Sequence, residues 1–296
     1  MPVDQSPIDM LLIGDSAAMV VHGYDTTLPI TLDEMIMHCR AVSRGARRPF
    51  LVGDIPFGCF EEGPTFAVRS AVRLMKEGGV DAVKIEGGAP ARVETVRAVV
   101  GAGIAVVGHV GLTPQSVSVL GGFRAAGLRA EEAARVALEQ AGCMALVIEC
   151  VPELVAAAIT RQINIPTIGI GAGAQTSGQV LVYHDLLGMI QHPHHAKVTP
   201  KFCKQYAKIG TAISEALEAY HADVTQRQFP LARYSPYALR EGEDWRLVEA
   251  LRSRGLDLAA AAAATGIEQG KQEAARANGS AAAPPPPSNS KAAAGN

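Results

Sequence analysis

The chain reads as an α/β protein built on a parallel sheet, and two observations lead there. Short apolar runs alternate with helical segments over the first two hundred residues, the pattern of repeated βα units. Polar residues then recur at one place, the carboxyl ends of those runs. Composition fits a core-rich protein of this class: 48% of the 296 residues are hydrophobic and 30 are glycine.

The strands are read in order. Ile8 to Ile13 ends in Gly14-Asp15-Ser16. Thr31 and Glu34 form a capping box that opens a helix carrying Met35, Ile36, Cys39 and Val42 at helical spacing. Phe50 to Val52 ends in Gly53-Asp54-Ile55-Pro56. Thr65 to Lys76 is helical and closes on Gly78-Gly79. Val80 to Ile85 carries Lys84 and Glu86 into Gly87-Gly88; two apart on a strand, they share a face. Arg92 to Val100 is helical, and Ile104 to Val107 ends in Gly108-His109. Ala130 to Gln140 is a short helix. Met144 to Ile148 ends at Glu149, and Glu153 to Gln162 is helical. Pro166 to Ile170 ends in Gly171-Ala172-Gly173, and Gln179 to Tyr183 is the last strand. Lys201 to His221 is a long final helix. That makes seven strands, one short of a (β/α)8 barrel.

Several function classes drop out. A net charge of -2 gives no basic field for nucleic acid. Five scattered cysteines without a CxxC read as reduced thiols, neither a disulfide framework nor a zinc site. No apolar run approaches the ~20 residues of a membrane span. The glycines at 169, 171 and 173 lack dinucleotide-binding spacing and read as a tight turn. His192, His194 and His195 read as a solvated loop, and Arg44, Arg47 and Arg48 as a solvated helix end. The barrel domain is taken as 1–255, and the Ala/Pro/Ser-rich residues 256–296 as a low-complexity, disordered C-terminal tail.

On their own, Lys84 and Glu86 could be a structural ion pair. Asp15, Ser16, Asp54, His109 and Glu149 at the other strand ends shift that reading, because in a barrel all these ends share one rim. Asp15, Asp54 and Glu86 offer hard oxygen ligands suited to Mg²⁺, which keeps waters and often takes only one or two carboxylates directly. Glu86 can therefore stand behind a water. Glu149 ends a strongly apolar strand, where desolvation would raise its pKa and make it a general-base candidate.

The strings Ile13-Gly14-Asp15-Ser16, Gly53-Asp54-Ile55-Pro56-Phe57, Val83-Lys84-Ile85-Glu86-Gly87-Gly88, Gly108-His109-Val110-Gly111-Leu112-Thr113-Pro114-Gln115-Ser116 and Glu149-Cys150-Val151-Pro152 resemble, in order and spacing, the ketopantoate hydroxymethyltransferase family. The likeness runs from about Ile8 to Leu239. It implies a (β/α)8 TIM barrel of the phosphoenolpyruvate mutase-like type, here lacking its first strand. It also implies hydroxymethyl transfer from 5,10-methylenetetrahydrofolate to 3-methyl-2-oxobutanoate. The resemblance makes Asp15 and Asp54 direct Mg²⁺ ligands, with Glu86 near the metal. Ser16, Lys84 and His109 become contacts to the oxoacid, and Glu149 the base. It further implies a homo-oligomer, cytoplasmic in bacterial relatives and mitochondrial in plant and fungal ones. Two other readings stand beside it: an N-terminally truncated, inactive subunit of that enzyme, and a different Mg²⁺-enolate barrel of the phosphoenolpyruvate mutase type. Against the family, the stretch from Gly122 to Glu149 is several residues shorter.

Overall fold

The computed structural model describes residues 2–116, 118, 137–190, 200–231, 234, 237, 239–240 and 242–279. Two compact units divide at Thr211 and Ala212, so the first unit ends well before residue 255. The expected helix Ala130–Gln140 and the histidines at 192, 194 and 195 fall largely or wholly outside the described residues.

The first unit is a seven-stranded sheet, β1 (Met10–Ile13), β2 (Phe50–Asp54), β3 (Ala82–Glu86), β4 (Ala105–Gly111), β5 (Ala145–Glu149), β6 (Thr167–Ile170) and β7 (Gly178–Gln179). Every neighbouring pair is parallel, and spatial order equals sequence order. A doubly wound sheet would reverse its order at a switch point; this one never does. Its crossovers therefore keep their helices on one face, as in a (β/α) barrel. Among the described residues β1 and β7 are edges, so these staves form a half-barrel.

Burial separates the two faces. Ile13, Leu51, Val83, Ile85, Val106, Leu146 and Ile148 face outward into the large core. They pack there against α3 (Leu32–Gly45), α4 (Pro64–Arg73), α5 (Pro90–Gly101) and α6 (Glu153–Gln162); α1 (Pro2–Gln5) and α2 (Ala17–Val20) are single turns that precede them. Val52, Ala82, Val107, Ala145 and Val147 face inward and meet only other strand residues, such as Leu12, Ala105 and Ile168. Strand side chains alternate with period two. Continuing the inward set by two residues from Val52, Ala82, Val107 and Val147 reaches Asp54, Lys84, His109 and Glu149, and two more from Lys84 reaches Glu86. The charged residues are thus the top layer of the inner face, above a small apolar plug.

The capping box forms as expected: the Glu34 backbone N–H donates to Thr31 Oγ1 at 3.3 Å, and Thr31 N–H to the Glu34 carboxylate at 2.8 Å. α4 gives way to a wider π turn over Leu74–Gly78, closed by Gly79 at φ +72°. Three expectations change. β7 spans two residues rather than five, and Tyr183 opens a short helix, Tyr183–Leu186. The long helix starts at Ile209, not Lys201, and runs to Thr225. The N–H groups of Tyr206, Ile209 and Gly210 donate to the carbonyls of Leu186, Leu187 and Gly188, and those bonds hold residues 206–210 against the preceding loop. In the second unit, a helix spans Glu243–Ser253 and another Asp257–Gly279, so helix continues through Gly270, where disorder is expected. Its alanine, glutamine, glutamate and lysine content favours helix intrinsically. No described helix is long and apolar enough to cross a membrane.

Candidate active site

Parallel register brings the inner-face charges together. Asp54 lies opposite Lys84, and Glu86 opposite His109. Lys84 Nζ sits 2.8 Å from Asp54 Oδ1, 3.5 Å from Glu86 Oε1 and 3.4 Å from His109 Nδ1. His109 Nδ1 is 3.3 Å from Glu86 Oε1, and its Nε2 is 3.1 Å from Glu149 Oε2. Asp15 arrives from the loop after β1, its N–H donating to Asp54 Oδ2 at 3.1 Å. Asp15, Asp54, Lys84, Glu86 and His109 are each at most 4% exposed. Six of the sequence-predicted site residues therefore form one connected cluster. Ser16 stands next to Asp15 at the start of the helical turn Ala17–Val20, half-buried, with no capping bond from its side chain.

Glu149 is not sealed in its apolar strand. Residues 145–148 are buried, but Glu149 reaches the rim, and its side chain is 18% exposed. It rests on His109 instead.

Three buried carboxylates share one lysine and one histidine, and the electrostatics follow. Burial, reinforced by Asp54, pushes Asp15 up to about 8 despite Lys84. Burial also raises Asp54, against the pull of Lys84. For Glu86, burial is overcome by Lys84 and His109, which hold it down at about 2. For His109, burial and Lys84 oppose protonation, yet Glu86 and Glu149 raise it to about 9. Lys84 is raised by Asp54, Glu86 and Asp15 acting against its burial.

Gln115, quoted in its motif without a role, proves central. Its Nε2 donates to Asp15 Oδ2 at 2.8 Å and to the Ile55 carbonyl at 3.1 Å, while its backbone N–H donates to Glu86 Oε2 at 3.1 Å. It enters from a turn after β4, so strand parity gives no hint of it. A second unpredicted pair lies elsewhere: His22 Nε2 and His38 Nε2 are 2.8 Å apart, with Glu34 Oε1 3.7 Å from His22. The arginine cluster is structural. Asp4 accepts the N–H groups of Arg47 and Arg48, and the Arg48 guanidinium bonds the carbonyls of Ser6 and Ile8. All five cysteines are free thiols. Cys150 takes φ +54°, a left-handed conformation directly after Glu149.

The donor set suits a divalent cation of limited protein coordination. Among the described residues no group of three or more His, Cys, Asp or Glu side chains is arranged to hold a metal alone. Glu86 is already occupied by Lys84, His109 and Gln115. Asp54 Oδ1 is buried beside Lys84 Nζ but receives no well-aligned hydrogen bond, and Gln115 Oε1 is likewise buried and unpaired. The unpaired buried oxygen of Gln115 and the excess of carboxylates over cations fit a hard cation held by one or two carboxylates, with water or substrate completing the shell.

Comparison with known proteins supplies the family. The chain is 59% identical over 276 residues to 3-methyl-2-oxobutanoate hydroxymethyltransferase 1, mitochondrial, of Oryza sativa subsp. japonica, covering 92% of this chain and 76% of the relative. It is 52% identical over 251 residues to 3-methyl-2-oxobutanoate hydroxymethyltransferase of Oleidesulfovibrio alaskensis, covering 83% and 84%. A solved phosphonopyruvate hydrolase superposes with TM-score 0.48 at 14% identity, over 85% of this chain and 87% of that one. A family model described as ketopantoate hydroxymethyltransferase matches residues 1–232. That span contains every strand of the sheet and every charged residue of the inner rim, and on this match and these identities the chain belongs to the ketopantoate hydroxymethyltransferase family.

Proposed function

We propose that the inner rim carries out hydroxymethyl transfer to 3-methyl-2-oxobutanoate by enolate formation, with 5,10-methylenetetrahydrofolate as one-carbon donor and Mg²⁺ as cofactor. One observation carries the reading: Asp15 and Asp54 lie buried side by side, sharing Lys84, where carboxylates outnumber cations. Asp15 and Asp54 would hold Mg²⁺, and Glu86 would reach it through water. When bound, the cation supplies Lewis-acid polarisation of the oxoacid carbonyl.

The chain's own residues do the rest. Lys84 brings a fixed positive charge to where the substrate's oxygens would develop negative charge, and its burial strengthens that field. Ser16, at the loop after β1, and His109 are proposed contacts to the oxoacid. Glu149, solvent-accessible at the rim, takes the C3 proton as general base. His109 Nε2, 3.1 Å from Glu149 Oε2, is placed to orient that carboxylate. The C3 carbanion centre then bonds to the methylene carbon as one of its two carbon–nitrogen bonds to folate breaks, and water displaces the second nitrogen to supply the hydroxyl of 2-dehydropantoate, the two nitrogens taking up the protons released from C3 and from water. Tetrahydrofolate leaves.

Deuterium wash-out tests this. The purified chain with Mg²⁺ and 3-methyl-2-oxobutanoate deuterated at C3, without folate, is expected to exchange the label with solvent, followed by NMR. Glu149→Gln should slow exchange by about 100-fold or more, the range of general-base catalysis, while still binding the oxoacid. Exchange persisting in Glu149→Gln within about threefold of wild type would remove Glu149 from the role.

A further inference from the structure

Beside the charged cluster lies a recess that the enolisation step leaves without a task. It measures about 210 Å³, and Phe57, Phe60, Glu61, Glu86, Arg92 and Gln115 contribute to its walls. A second recess of about 190 Å³ shares Phe60, Glu61 and Arg92 with it and continues along the first turn of α5. Phe60, Glu61 and Arg92 form the wall between the two, and Glu86 lines the first.

The contact between Arg92 and Glu61 is loose. The Arg92 guanidinium lies 4.1 Å over the centre of the Phe60 ring, with its side chain only 25% exposed. Its nearest carboxylate oxygen, Glu61 Oε1, is 3.8 Å away, outside hydrogen-bond range. Glu61 is held elsewhere, its Oε2 accepting the N–H groups of Gly58 at 2.8 Å and Phe60 at 3.2 Å. Among the described residues no acceptor comes within hydrogen-bond distance of the guanidinium. Among the described residues the half-buried guanidinium therefore keeps donors free to meet a ligand in the recess. The chemistry that would complete it is specific. The fork matches a carboxylate in bidentate geometry, and the exposed Phe57 ring offers packing for a flat ring, Phe60 being buried beneath the guanidinium.

We propose that these recesses seat the p-aminobenzoyl-glutamate arm of the folate co-substrate. The aromatic ring packs against the exposed Phe57, and a glutamate carboxylate takes the Arg92 guanidinium in place of its loose contact with Glu61. This rests on the folate reading above and adds what that reading lacks, a residue that selects the glutamylated co-substrate. Arg92 acts in recognition, away from the reacting atoms.

The test compares equilibrium binding of two probes to the full chain by titration calorimetry: tetrahydrofolate, and tetrahydropteroate, which has the same rings and no glutamate. A charge-assisted bidentate contact contributes at least about tenfold in affinity, so wild type should bind tetrahydrofolate at least about tenfold more tightly. Arg92→Leu should bring tetrahydrofolate down to the tetrahydropteroate level while leaving tetrahydropteroate unchanged, with thermal melting confirming the fold. The KM for 5,10-methylenetetrahydrofolate should rise in parallel. Should Arg92→Leu fail to fold, Arg92→Lys is expected to lose a large part of the discrimination, because an ammonium lacks the planar fork. Equal binding of both probes by wild type, or discrimination retained in the variant, overturns the proposal. Wild type that binds neither probe refutes the folate reading as well, so the two failures are distinguishable.

Discussion

At the scale of single residues, Lys84 decides how the cluster is understood. A lysine paired with one glutamate would be a modest structural element. Lys84 instead faces Asp54, Glu86 and His109 within 3.5 Å in a site closed to solvent. Removing it leaves buried carboxylates without compensation, a loss of about 3–5 kcal/mol for a broken buried pair. Lys84→Met should therefore lower stability as well as turnover. The two effects separate kinetically: kcat/KM of the folded fraction, measured well below the melting temperature, should fall by about 100-fold or more, the cost of one preorganised electrostatic contact. Urea unfolding gives the stability change. A variant losing activity only in proportion to its unfolded fraction would return Lys84 to a structural role. Residues on strand parity were legible here, because Asp54, Lys84, Glu86, His109 and Glu149 each follow an inward apolar residue by an even step. Gln115 and Arg92 were not. Gln115 enters from a turn, and Arg92 is placed by stacking on Phe60, on a loop a strand and a helix away.

At the scale of elements, the junction of β4 and β5 places Glu149, the proposed general base. Gly111 pairs with Glu149 in the sheet and has φ +96°. A Cβ there would lie 2.1 Å from the Glu149 carbonyl oxygen, the acceptor of the Leu112 N–H at 2.9 Å. Gly111→Ala must move one strand end against the other as well as adopt a disfavoured backbone conformation. It should cost roughly 2 kcal/mol or more and lower kcat more than it raises the KM for the oxoacid, since Glu149 shifts while Asp15 and Asp54 stay. Chemical denaturation and steady-state kinetics on the same preparation check both; normal kcat with reduced stability would show that Glu149 tolerates displacement. The strands themselves were readable from mostly apolar runs of three to six residues ending at polar groups. The element boundaries that moved, β7 and the helix starting at Ile209, moved where backbone hydrogen bonds to distant segments overrode local pattern, as with Gly188 accepting from Gly210.

At the scale of the molecule, surplus buried negative charge ties stability, pH and metal together. Asp15 has an ordinary carboxyl value of 3.8, raised in the fold to about 8, burial leading and Asp54 adding to it. Between those values the folded state holds a proton that the unfolded chain has lost, so this group makes the metal-free protein less stable as pH rises toward 8. A cation on Asp15 and Asp54 reverses the sign. It must expel that proton, so its affinity rises with pH up to about 8 and levels off above, and binding releases protons. The expected outcome is a Mg²⁺-induced increase in melting temperature that is small near pH 6 and grows steadily to pH 8. Asp54→Asn should remove most of it, and EDTA should abolish it in wild type. Calorimetric titration of Mg²⁺ in buffers of different ionisation enthalpy should register the released proton at pH 6–7 and lose that signal above pH 8. A Mg²⁺ shift that is flat from pH 6 to 8 would mean that the cation does not displace a proton from Asp15, and would move the metal away from the rim that strand parity builds.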